Sequence, residues 1–196
     1  MDIAIAARRE SAGSSMQGGF GLSQGSGGRC KDLRPLRRHS QSLLKQLAVG
    51  VQAVMGEQNC SASLVSSGTI DLCWLSYSRA VANGLLGHFY ETFLVHPQIR
   101  DRFAGTAAAT QHEALRHGLS SMLKFVEGDR MGCECLKRIR KSHSRAGLGV
   151  DPALDPLWSD SLFRALRRCD PLYDPQTEKA WRTVTELGLE CLRSGY

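Results

Sequence analysis

The sequence predicts an all-α domain from residue 68 to the C-terminus. Three observations lead there. From Thr69 onward apolar residues recur three and four apart, the spacing of a helix with one buried face. No stretch alternates at the period of two that a half-buried strand requires. The periodic segments are joined by short links built on Gly, Pro, Asn and Asp, and no internal repeat is present.

Residues 1–67 precede that domain as a low-complexity extension. The Gly/Ser/Gln tract at 11–28 cannot bury enough apolar surface to offset its conformational entropy, so the segment is expected to be largely disordered. A short helix near 41–56 is expected within it, with Leu43, Leu44, Leu47, Val51 and Val54 on one side.

In the domain, Ile70, Cys73, Trp74, Tyr77 and Val81 define a first helix that stops at Asn83-Gly84. A second runs over 85–95, with Leu85, Leu86, Phe89, Phe93 and Leu94 inward. Pro97 opens a short helical turn to Arg102, since proline suits a first helical position. A long helix over about 107–127 carries Gln111, Leu115, Gly118/Leu119, Met122 and Val126 along one stripe. The segment 128–132 breaks it. A basic helix follows, in which Leu136, Ile139 and His143 share a face, and Gly147 is expected as its left-handed cap. Pro152 begins a helix to about Arg168, and a last one reaches about Arg193, with Trp181, Val184 and Leu187 inward.

Length and charge narrow the class. A chain of 196 residues suits one domain plus an appendage. Its net charge is +6, with basic clusters at 34–39 and 137–141 that lack interleaved stacking aromatics, so no nucleic-acid partner is expected. Seven cysteines, an odd number at irregular spacings, argue against a disulfide framework and for a reducing compartment. Cys133 and Cys135 stand one residue apart, which suits neither a zinc knuckle nor a redox pair. No CxxCH occurs, so no covalent haem attachment is encoded. No apolar run reaches the ~20 residues needed to span a bilayer. Asp2 interrupts the apolar start, and Arg8 and Arg9 follow it, the reverse of a signal peptide. A cytoplasmic protein without membrane contact, monomeric or homodimeric, is expected.

Several side chains then line up in order. Phe89-Tyr90 lies on the second helix, and Phe103 follows Tyr90 by 13 residues, past Pro97. Gln111 and Leu115, four apart, begin the long helix, and His143 follows Gln111 by 32. Taken singly, Tyr90, Phe103 and His143 read as core residues and Gln111 as a surface one. The joint order and spacing resemble the globin family, and within it the bacterial single-domain and flavohaemoglobin-type members. The resemblance covers about 70–196. It is carried by the run from His88-Phe-Tyr-Glu through Val95-His-Pro to Arg102-Phe103, and by His143-Ser-Arg-Ala-Gly-Leu148.

What the resemblance implies is a globin-like fold of about six to seven helices around a pocket for non-covalent haem b. His143 matches the proximal ligand of the haem iron, Phe103 the phenylalanine against the porphyrin, Gln111 and Tyr90 the distal donors, and Leu115 the apolar gate. Ser142 or a nearby carbonyl is expected to hold the other ring nitrogen of His143. The implied function is reversible binding of dioxygen and other diatomic ligands, for storage, transport or scavenging, with slow release if Tyr90 and Gln111 both donate to the ligand. Two features depart from flavohaemoglobins. Asp155 stands near the position of their proximal-side tyrosine, and their late glutamate would fall at or past Tyr196, which leaves Glu186 or Glu190 as candidate substitutes. No GxGxxG follows a strand, so no reductase domain is expected. Nitric oxide dioxygenase or peroxidase activity would need an external reductase, and ranks second. A haem-based sensor or a haem-free globin-like interaction module ranks below it.

Overall fold

Seven α-helices and no strand make up residues 63–196, the part of the chain described by the computed structural model. In chain order they are α1 (Ser67–Ala82), α2 (Leu85–Phe93), α3 (Pro97–Arg102), α4 (Ala108–Glu127), α5 (Arg130–His143), α6 (Asp155–Cys169) and α7 (Pro175–Arg193). A 3-10 turn, Pro152–Leu154, leads into α6.

Local chemistry sets the helix ends. Side-chain oxygens of Ser66, Asp129 and Asp174 accept from the N–H of Thr69, Gly132 and Thr177, so the starts of α1, α5 and α7 each satisfy one otherwise orphaned donor. Proline occupies the first turn of α3, α6 and α7, where its missing N–H costs nothing. The long helix α4 stops at Gly128, which is left-handed with φ 85°.

The helices pack around one apolar core. α4 lies along α5, α2 along α6, and α7 runs beneath α1, α4 and α5. The α4–α5 approach is close because position 132 has no side chain: a Cβ there would collide with Lys124 and lie 2.7 Å from the Phe125 nitrogen. Trp181, Phe89, Phe125, seven leucines and Ile99 are the largest fully buried side chains among the described residues. Two polar ties cross the core. Trp181 Nε1 donates to Ser76 Oγ at 2.9 Å, joining α7 to α1. Arg79 clamps the buried Asp170 carboxylate through two bonds, 2.6 and 2.9 Å long, joining α1 to the turn after α6.

The expected helix at 41–56 and the extension up to residue 62 lie outside the described residues. Residues 63–66 pack on the domain: the Leu64 N–H donates to the Val126 carbonyl at 2.8 Å, and Leu64 and Val65 touch the core. Among the described residues, Cys73, Cys135 and Cys169 are free thiols. No helix among the described residues is long and apolar enough to cross a membrane.

Candidate cofactor pocket

His143 is the last residue of α5, and the loop after it fixes where the ring points. The chain turns back beneath the helix end. The N–H groups of Leu148 and Val150 donate to the carbonyls of Ser142 and His143 at 2.7 and 3.0 Å, and those of Gly147 and Gly149 both reach the Ser144 carbonyl. The carbonyls left open by the helix terminus are thereby satisfied. Gly147 is not the left-handed cap the sequence suggested. That conformation belongs to Gly149, with φ 58°, after Ser144 has already ended the helix in an extended conformation. Glycine is needed at 147 for another reason: a Cβ would collide with the Ser142 carbonyl and sit 2.9 Å from that of Lys141.

The imidazole is oriented by its own helix. His143 Nδ1 lies 2.9 Å from the Ile139 carbonyl, one turn earlier, and 3.2 Å from Ser142 Oγ. A carbonyl only accepts, so Nδ1 carries the proton and Nε2 keeps its lone pair. Burial lowers the affinity of the ring for a second proton, and the Ile139 bond offsets this only in part. The result is a neutral imidazole whose Nε2 has no hydrogen-bond partner among the described residues.

That ring lines a cavity of about 270 Å³, just below the roughly 300–1,000 Å³ typical of small-molecule and cofactor clefts. Leu136 and Ile139 of α5 and Leu148 and Val150 of the loop form the wall beside His143. Ala114, Leu115, Gly118 and Met122 of α4 form the facing wall, and Phe89, Tyr90, Phe93 and Phe103 close one end. Gly118 leaves that wall open, since a Cβ there would meet nothing within 4 Å. The aromatic end is edge-packed, with Phe103 5.7 Å from Tyr90 and 6.3 Å from Phe93 between ring centroids.

Four of the five residues singled out in the sequence meet here: His143, Phe103, Tyr90 and Leu115 line the same cavity. Gln111 does not line it. Its amide donates to the Thr106 carbonyl at 3.2 Å, in the link before α4. The Tyr90 hydroxyl is also committed, donating to the Gln111 backbone carbonyl at 2.8 Å, and burial pushes its ionisation well above the usual phenol range. Arg102, His117 and Trp158 line the cavity as well and were not singled out. Arg102 was legible, standing beside Phe103 at the end of the proline-initiated turn; its guanidinium is 3.5 Å from the carbonyls of Leu148 and Gly149.

Asp155 reaches the cavity from the start of α6, but its charge is matched elsewhere. Arg193 gathers Asp155, Glu186 and Glu190 at 3.1, 2.8 and 3.1 Å. Burial raises the Asp155 carboxyl, and Arg193 counters that only in part. The two glutamates considered as partners for the histidine are therefore held by an arginine, while His143 is held by a backbone carbonyl.

Comparison with known proteins agrees with this architecture. No protein-family model and no curated protein matches the chain. A solved structure does: a Pseudomonas aeruginosa PAO1 protein, described as structurally highly homologous to a human hemoglobin, is 35% identical with a TM-score of 0.61, over 65% of this chain and 98% of the other. This chain belongs to the globin-like family.

The donor set of the pocket suits a haem. A neutral histidine with an unshared Nε2 facing an apolar slot is the donor a haem iron takes, with its tautomer set by a carbonyl. The cationic Arg102 at the cavity edge suits a cofactor that carries carboxylates. The residues fit the group.

Proposed function

We propose that this globin binds haem b non-covalently and binds dioxygen reversibly, as a carrier, store or scavenger. The observation that carries the reading is the His143 ring, fixed through Nδ1 by Ile139 and open at Nε2 on an apolar cavity. Haem, when bound, would supply an iron able to take a diatomic ligand. His143 would hold that iron, Phe103 would pack on the macrocycle, and Arg102 would meet its carboxylates. Leu115, Met122 and the aromatic end exclude water. Within the family we assign the chain to the bacterial single-domain members that resemble the haem domain of flavohaemoglobins, on the motif around Phe103.

The distal side supports moderate ligand stabilisation. A tyrosine hydroxyl has one proton, and that of Tyr90 is engaged by the Gln111 carbonyl. It reaches a ligand only by giving that bond up, and the Gln111 amide only by leaving Thr106. The proximal side supports binding over peroxidase chemistry, because the partner of His143 is neutral and the nearby carboxylates are paired with Arg193.

The test is to reduce the haem-loaded protein, mix it with dioxygen, and follow the absorption through deoxygenation and reoxygenation. Reversible spectra over several cycles support the proposal. Immediate, complete oxidation to the ferric form without an oxygenated spectrum overturns it.

A further inference from the structure

The turn after α7 is folded against the end of α5. The N–H groups of Ser194, Gly195 and Tyr196 donate to the carbonyls of Glu190, Leu192 and Arg193 at 3.1, 3.2 and 3.0 Å. Three contacts seat this turn on the helix that carries His143. Arg140 donates to Ser194 Oγ at 3.3 Å, and the Ser194 hydroxyl donates in turn to the Cys191 carbonyl at 2.7 Å. At Gly195 a Cβ would stand 2.5 Å from Cγ and 2.9 Å from Cδ of Arg140, so the arginine stem lies directly on the backbone. Arg145 holds its guanidinium 4.8 Å over the Tyr196 ring. Arg145 is two residues past His143, at the start of the loop that turns back beneath the helix. It follows Ser144, whose carbonyl accepts from Gly147 and Gly149.

We infer, resting on the haem reading above, that Tyr196 is a positioning residue for the iron ligand and acts through Arg145. The His143 ring is oriented by the Ile139 carbonyl, and that bond requires the last turn of α5 to stay helical. Helix ends open readily, because their final carbonyls have no partner within the helix. Here the loop supplies partners, the N–H groups of Leu148 and Val150. The loop keeps them in place only if its own first residues are held. Arg145 is the side chain that ties those residues to α7. A guanidinium over an aromatic face is attracted by the negative centre of the ring, and the phenol oxygen takes no part in that attraction. Phenylalanine at 196 therefore preserves the clamp, and alanine removes it.

The test compares Tyr196→Ala, Tyr196→Phe, Arg145→Ala and the double variant Tyr196→Ala/Arg145→Ala with wild type. Arg164→Ala, on the far helix α6 and paired there with Asp160, is the control. Thermal melting checks that each is folded, and Arg145→Ala carries the test with Tyr196→Phe if Tyr196→Ala is not. Two readouts use the haem-free protein: amide hydrogen exchange at Leu148 and Val150, and the ring-nitrogen chemical shifts of His143, which report its tautomer. A third is the iron–histidine stretching band of the ferrous haem-loaded protein. Exchange should quicken roughly threefold in Tyr196→Ala and in Arg145→Ala, the effect of one exposed cation–π contact, with no further gain in the double variant. The tautomer protonated at Nδ1 should dominate in wild type and Tyr196→Phe and become mixed in the alanine variants. The stretching band should shift or broaden in those variants alone. A general loss of stability would lower the melting temperature without moving the tautomer or the band. A protein that takes up no haem fails the haem reading, and the two haem-free readouts then still decide whether Tyr196 positions His143. Wild-type exchange and tautomer in Tyr196→Ala, a Tyr196→Phe that behaves as Tyr196→Ala does, additive effects in the double variant, or an equal change in Arg164→Ala would each overturn the inference.

Discussion

His143 Nδ1 stands 2.9 Å from the backbone carbonyl of Ile139, so the residue one helical turn earlier fixes the tautomer of the ring. The carboxylates on the same side of the cavity do not take part. Asp155, Glu186 and Glu190 converge on Arg193. Replacing Asp155 or Glu186 by its amide should therefore leave the iron–histidine stretching frequency of the ferrous protein unchanged by resonance Raman. A shift towards lower frequency in Asp155→Asn would show that the carboxylate reaches His143 after all.

Tyr90→Phe tests the distal side. The substitution removes one buried hydrogen bond, to the Gln111 carbonyl, and should cost about 1 kcal/mol of stability in urea denaturation. Dioxygen release should quicken by up to about tenfold if the hydroxyl turns to the ligand, the factor that ~1.4 kcal/mol corresponds to. Gln111→Leu should change release by less, since that amide is held by Thr106 outside the cavity wall. A larger effect at Gln111 than at Tyr90 would reverse the assignment of the main donor.

Gly147→Ala tests the loop under the proximal helix. A methyl group at 147 meets the Ser142 carbonyl, whose own bond to Leu148 is 2.7 Å. The loop must shift, and with it the wall formed by Leu148 and Val150. Haem should then transfer to apomyoglobin about tenfold faster than from wild type, a loosening worth ~1.4 kcal/mol. An unchanged transfer rate would mean the loop does not restrain the cofactor.

The Arg79–Asp170 clamp predicts an acid-sensitive contribution to stability. Burial pushes the Asp170 carboxyl up, but hydrogen bonds from Arg79, Ser76 and the Leu172 N–H outweigh it and hold the group below the usual carboxylate range. A depressed folded value stabilises the protein above the unfolded value near pH 4, and that contribution fades as pH falls through the folded one. Asp170→Asn should cost about 3 kcal/mol at pH 7 by leaving Arg79 unmatched, and less at pH 2–3. A penalty that does not change with pH would place the effect in packing instead.

Much of this fold was legible because its signals are local. The helical period located all seven helices, and Pro97 marked α3 because a proline start and a six-residue length leave little choice. The cavity residues His143, Phe103, Tyr90 and Leu115 were found through the resemblance to globins that their order and spacing carry. The remainder depends on contacts the linear pattern does not encode. Gln111 sits on the buried stripe of α4, yet its amide turns to a carbonyl five residues earlier, and periodicity is silent about rotamers. Gly147 looked like a cap because glycine so often is one, but its role is a close approach to Ser142. The Arg193 cluster joins residues up to 38 apart in sequence, with no spacing to betray it.

The central claim, that His143 is the ligand of a bound haem, is tested most directly by titrating the haem-free protein with haemin and recording ferric, ferrous and carbon monoxide spectra beside His143→Ala. The account predicts saturation at one haem per chain, a sharp Soret band, and a ferrous carbon monoxide spectrum of histidine-ligated type that His143→Ala loses. No saturable Soret band in the wild type, or identical spectra in the two proteins, would contradict it.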